Sequence, residues 1–179
     1  MLFSWIAFAQ FTGSLIGIVG SSGGVGYSPL LDTYVTSTGA YSLRLLKTGE
    51  TQAVRVRRSS DNAETDVLLY DDGSSIDLSS PVSAGGDLGT WVGANDAYVR
   101  IWYDQSGNDH DLIVPTWQGG QPAQIVTGGV LETLNGQATV KSNQITAGFL
   151  YAIDDQIQLN NLLEYTAFSV CLLYTSPSP

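Results

Sequence analysis

Residues 97–103, AYVRIWY, alternate bulky apolar and polar side chains and are then stopped by DQSGN at 104–108. Alternation of this kind has the period of a β-strand, and an Asp/Ser/Gly/Asn cluster has the chemistry of a turn. Strict alternation sets Val99, Ile101 and Tyr103 on one side and Tyr98, Arg100 and Trp102 on the other. One set must then lie on an outer or cleft face.

The same pattern recurs along the chain. Residues 53–59 (AVRVRRS) turn Val54 and Val56 one way and Arg55 and Arg57 the other. Residues 66–70 read as a further strand, closed by Asp71-Asp72-Gly73. Extended structure resumes at 111–114 and at 121–127 (QPAQIVT). In 130–140, Asn135-Gly136 lies between two alternating runs, a strong hairpin signal. Residues 165–173 (YTAFSVCLL) have the β-branched and aromatic content of a central strand. Two segments read as helical. Residues 38–47 (TGAYSLRLLK) would put Leu43 and Leu46 on one face and Arg44 and Lys47 on another. Residues 88–92 would form a short turn after Gly85-Gly86. Many short strands spaced by turns predict a β-sandwich rather than βαβ units.

Residues 1–19 are apolar and uncharged, but no Lys or Arg precedes Ala7-Phe8-Ala9, and Gln10, Thr12, Gly13, Ser14 and Gly17 interrupt the run. A secretory signal is therefore ambiguous and a membrane anchor disfavoured. Residues 20–26 (GSSGGVG) read as a linker, so 1–26 are expected to precede the domain proper. No Gly-Lys-Ser/Thr follows the linker, which excludes a phosphate loop.

Charge limits the partners. Seven basic and seventeen acidic residues give a net charge of −10. That field repels nucleic acid and anionic membranes, and it is compatible with neutral carbohydrate. The single cysteine, Cys171, excludes an intrachain disulfide, and with the single histidine, His110, it excludes the usual zinc ligand sets.

Two words in the chain are distinctive: VRRSSDN at 56–62 and WYDQSGN at 102–108. With LLDTY from Leu30, AYSLRLL at 40–46, QPAQIV at 121–126 and LNGQA at 134–138, they resemble the α-L-arabinofuranosidase B catalytic-domain family, in order and spacing, over roughly residues 30–170. The resemblance implies an all-β, concanavalin-like (LamG-like) antiparallel β-sandwich with one or two short helices. It also implies retaining hydrolysis of terminal arabinofuranosyl groups. That chemistry needs two carboxyl groups about 5–5.5 Å apart. In the family they lie in later strands, so no catalytic residue is carried over to this chain. The same words resemble phage-tail and bacterial surface proteins, where hydrolase activity does not follow from fold. Residues 171–179 (CLLYTSPSP) leave the pattern in mid-strand and resemble a translated sequencing-adapter tail, which makes 27–170 an expected incomplete sandwich, inactive as it stands. The implied partner is an arabinose-containing polysaccharide or a surface glycan, at an extracellular, virion or cell surface, with oligomerisation to be considered for a tail protein.

The candidate substrate-binding residues are Trp102, Tyr103, Asp104 and Asn108. Trp102 is the leading one, because alternation sets it opposite Val99 and Ile101 and an aromatic ring can stack on a sugar. Trp91 and Trp117 are weaker stacking candidates. For Asp104 an Asx-type turn over Ser106-Gly107 is the favoured reading. Asp104, Ser106, Asn108 and Asp111 have oxygens spaced like part of a calcium loop but lack its bidentate Glu, so no metal or other cofactor is expected. Arg55, Arg57 and Arg58 with Asp61, Glu64 and Asp66 read as ion pairs on a solvated face or pinning a loop. His110 reads as a surface residue, and no serine has a nucleophile-elbow context.

Overall fold

A computed structural model describes residues 26–34, 37–113 and 123–141, and the backbone of 151–152. The expected N-terminal segment, most of the linker, the strand at 165–173 and the tail at 171–179 lie outside the described residues.

The described residues form an all-β, antiparallel fold with two short helices. Helix α1 is Leu30–Thr33 and α2 is Leu88–Val92. The main sheet holds β1 (Gln52–Arg58), β2 (Glu64–Leu68), β3 (Ala97–Trp102), β4 (Leu112–Ile113), β5 (Gln124–Thr127), β6 (Val130–Leu131) and β9 (Tyr151–Ala152). Its main path runs β2-β1-β3-β4-β9. One edge of β3 lies along β1. The other is shared: β4 pairs with Ile101 and Trp102, and β5 with Ala97 and Tyr98. A separate hairpin pairs β7 (Thr133–Leu134) with β8 (Gln137–Ala138). Its turn is Asn135-Gly136, with φ of 51° and 76°. Two consecutive positive φ values are what a two-residue type I′ turn requires, and the Asn-Gly pair supplies them cheaply.

Val54, Val56, Val67, Val99 and Trp102 cover the inner face of β1, β2 and β3. Tyr41, Leu43, Leu45, Ile76, Val82, Leu88 and Val92 pack with them into one core. Fully burying a side chain of this size stabilises by about 1.5–3 kcal/mol. Helix α2 forms as expected. Asp87 caps it, its carboxylate accepting from Thr90 N at 2.7 Å, and Leu88 and Val92 enter the core.

Two expectations are corrected. Residues 38–47 do not form a helix; the chain there is irregular, with bends at 38, 43–44 and 47, and Tyr41, Leu43 and Leu45 are buried in the main core. Its backbone groups bond to distant partners in place of helical ones. Ile76 N donates to Leu43 O at 2.9 Å, and Asp104 and Gln105 take most of the rest. Trp102 is not on the outer face with Tyr98 and Arg100 but in the core, 1% exposed. The cause is a bulge. Val56 pairs with Val99 and Arg55 with Ile101, so Arg100 is an extra residue on β3. One inserted residue shifts the phase of the alternation, and Trp102 joins Ala97 and Val99 on the inner face, opposite Val54.

Candidate functional site

After the bulge, Trp102, Tyr103 and Asp104 take three different directions. Trp102 fills the core, so its ring is not available to stack on a ligand. Tyr103 turns to the outer face of the sheet, and its hydroxyl donates to Asp66 Oδ1 at 2.6 Å. Asp104 turns into the loop that follows.

Asp66 is the centre of the outer-face group. It lies opposite Arg55 in the β1–β2 register. Arg55 Nε donates to Asp66 Oδ1 at 2.7 Å and Nη2 to Oδ2 at 3.1 Å, a side-on, two-bond pair. Gln52 Nε2 adds a bond to Oδ2 at 3.2 Å. Ser83 Oγ donates to the same oxygen at 3.4 Å and accepts from Asp66 N at 3.0 Å. Arg100, the bulge residue, reaches Glu64 at 3.5 Å. Arg57 lies over the Tyr98 ring, 5.3 Å from its centroid. The outer face of β2-β1-β3 is thus a run of guanidinium, carboxylate and phenol groups.

These partners fix the protonation states. Burial pushes the Asp66 carboxyl up, but the bonds from Arg55 and Tyr103 and the Arg55 charge outweigh it and hold Asp66 below the ordinary carboxylate range. Burial and the bond to Asp66 push the Tyr103 phenol up. The bond to Asp66 also raises Arg55. At neutral pH the group is a fixed ion pair with a protonated phenol beside it. It can donate and accept hydrogen bonds, but none of its members is poised to exchange a proton.

The turn after β3 faces inward. Asp104, 6% exposed, accepts from Ala40 N at 2.8 Å, from Ser106 N at 2.8 Å, from Ser106 Oγ at 2.6 Å and from His110 N at 3.1 Å. The Asx turn over Ser106 is therefore present. Asn108 Nδ2 donates to Ser37 O at 2.9 Å and to Thr38 O at 3.2 Å. Asp111 Oδ1 accepts from Asp104 N at 2.9 Å. Burial raises the Asp111 carboxyl, and the nearby Asp104 and Asp109 charges add to the rise. Among the described residues, no group of three or more His, Cys, Asp or Glu side chains is placed to hold a metal ion.

The four candidates are thus divided. Tyr103 lies with Arg55, Gln52 and Asp66 on the outer face; Asp104 and Asn108 tie a loop; Trp102 is core. Compared with known proteins, the chain matches no family model, no curated protein and no solved structure. The family resemblance therefore rests on the residues that carry it.

Sequence reasoning missed Gln105. It is fully buried, its Oε1 accepts from Leu46 N at 2.7 Å, and its Nε2 donates to Ser42 O at 3.0 Å and Arg44 O at 3.1 Å. A Gln inside a turn has nothing in sequence to distinguish it from a solvated one. The ion pairs expected of the RRSSDN region are found for Arg55 with Asp66 and Arg58 with Asp61. Glu64 pairs instead with Arg100. The Arg58 bond lowers Asp61 to about 2. Arg58 also lies over Trp91, 4.8 Å from the ring centroid, and donates to its carbonyl, which pins the β1–β2 turn to α2.

Proposed function

We propose that this chain is a carbohydrate-active domain of the α-L-arabinofuranosidase B kind, which binds a neutral, arabinose-containing glycan without hydrolysing it. The observation that carries the reading is the outer-face group of Arg55, Asp66, Tyr103 and Gln52. Arg55 retains part of its donor fork beyond the two bonds to Asp66, and its side chain is 38% exposed. Tyr103 and Gln52 are half-buried beside it. A fixed guanidinium with a phenol and an amide at its side is a donor and acceptor set suited to sugar hydroxyls, since it is ordered before the ligand arrives. The excess of negative charge favours an uncharged polymer over an anionic one.

Binding without hydrolysis is supported by the state of two carboxylates, Asp66 and Asp104. A retaining mechanism needs one carboxyl free to attack and another free to give up a proton. Asp66 and Asp104 are buried, and each is engaged by several donors. A second reading, a structural module of a phage-tail or surface protein, is favoured by one specific observation: the WYDQSGN word spends Asp104, Gln105 and Asn108 on holding residues 37–46.

The test is calorimetric titration with arabinan and arabinoxylan oligosaccharides, alongside an aryl arabinofuranoside assay. Binding abolished by Arg55→Gln, with no turnover, is the expected result. Absence of binding to every neutral arabinose-containing glycan would favour the structural module, and equal binding by the variant would place the glycan away from Arg55. Turnover lost on replacing a carboxylate within residues 27–170 would overturn the inactive reading.

A further inference from the structure

Asn135-Gly136 is the single Asn-Gly step in the sequence. It forms the exposed tip of the β7–β8 hairpin, each of whose strands is two residues long. We propose that this tip is a site of spontaneous deamidation, converting Asn135 to aspartate and isoaspartate in the folded protein.

Three observations converge. First, Gly136 has no side chain to hinder its own nitrogen. That nitrogen can attack Asn135 Cγ, forming the ring C–N bond as ammonia leaves. Solvent water then opens the succinimide at either carbonyl. The balance is one amide and one water to one carboxylic acid and one ammonia, with no oxidant or reductant. Opening at one carbonyl routes the main chain through the Asn135 β-carbon and gives isoaspartate.

Second, the other asparagines among the described residues have their amides engaged. Asn62 Oδ1 accepts from Arg57, Asn95 Nδ2 donates to Val92 O at 2.8 Å, and Asn108 Nδ2 donates to Ser37 O at 2.9 Å. Their following residues are Ala63, Asp96 and Asp109, each with a Cβ. Among the described residues no side chain or backbone group holds the Asn135 amide.

Third, the type I′ turn must open before the ring can close, and here opening disturbs little. The hairpin pairs only Thr133 with Ala138 and Leu134 with Gln137. Two-stranded hairpins of this size are marginal by themselves, so local opening precedes global unfolding. The product would act on what flanks the hairpin. Isoaspartate lengthens the main chain inside a turn whose residue count sets the register. The next contacts along the chain are Thr139 N to Glu132 O at 2.9 Å and the Lys141–Glu132 pair at 3.6 Å.

The test is to age the full chain at mildly alkaline pH and follow the tryptic peptides spanning residues 59–100 and 101–141 by mass spectrometry and isoaspartate-specific methylation. Expected is a loss of amide at Asn135, with isoaspartate as a product, while Asn62, Asn95 and Asn108 stay amides. Unfolding the chain in urea should reduce that selectivity, because it frees the other three amides. The proposal is overturned if Asn135 stays intact when the folded chain is aged, or if the other three convert as fast.

Discussion

Gln105 Oε1 accepts the backbone N–H of Leu46 at 2.7 Å, across 59 positions of sequence. Two further bonds from its Nε2 reach Ser42 and Arg44 carbonyls, so one buried side chain takes the place of a paired strand for residues 42–46. Removing it leaves a buried N–H without an acceptor. Gln105→Leu should cost about 2–3 kcal/mol. Urea denaturation with the slope compared to the parent measures this directly, and a loss below the error of the fit would mean that water replaces the amide.

Asp66 makes stability depend on acid. Burial opposes its charge, but Arg55 and Tyr103 hold its folded value below the unfolded one. The contribution is therefore present above the unfolded carboxylate value, about 3.9, and is lost as pH falls through the lower folded value. Asp66→Asn should cost about 1–2 kcal/mol at neutral pH, the order of a hydrogen bond to a charged group. The difference from the parent should vanish in strong acid. Thermal melts across the acid range test the sign; a gap that widens on acidification contradicts it.

Asp111 has the opposite sign. Burial raises its folded value, so ionisation at neutral pH works against the fold and protonation relieves it. Asp111→Asn keeps an oxygen for the Asp104 N–H and removes the charge. It should stabilise at neutral pH by less than about 1 kcal/mol, since solvent screens a half-exposed group. The gain should disappear below the unfolded carboxylate range, where both forms are neutral. A variant less stable than the parent at neutral pH would show that the charge itself has a structural role.

Trp102 is a core residue, and its substitution should be read as such. Trp102→Ala should cost about 3–5 kcal/mol through lost burial and the cavity left behind. Tyr103→Phe, which removes only a hydroxyl bonded to Asp66, should cost about 1 kcal/mol. If glycan binding is measured on both, Tyr103→Phe should weaken it while the fold holds. Comparing melting curves with binding isotherms separates the two effects.

Local patterns were legible wherever one short-range rule governed the outcome. The alternation in 53–59 placed β1 within a residue of its observed ends, and Asn135-Gly136 placed a hairpin with both positive φ values. Residues 88–92 were legible as the short helix α2, and Asp104 gave its Asx turn. The candidate site was legible only in part. Tyr103, Arg55 and Asp66 could be named, but not that they meet, because β1, β2 and β3 bring them together only once registered.

By itself the sequence determined an antiparallel β protein with short strands, its turns and an acidic charge balance, since each follows from residue type and near-neighbour spacing. Tertiary structure decided which face Trp102 occupies and whether 38–47 is helical. Both turned on pairing with distant residues. The extra Arg100 opposite β1 reverses the phase of everything after it. Gln105 gives the backbone of 42–46 partners that local propensity cannot foresee, because a buried amide bonds whatever the fold brings within reach.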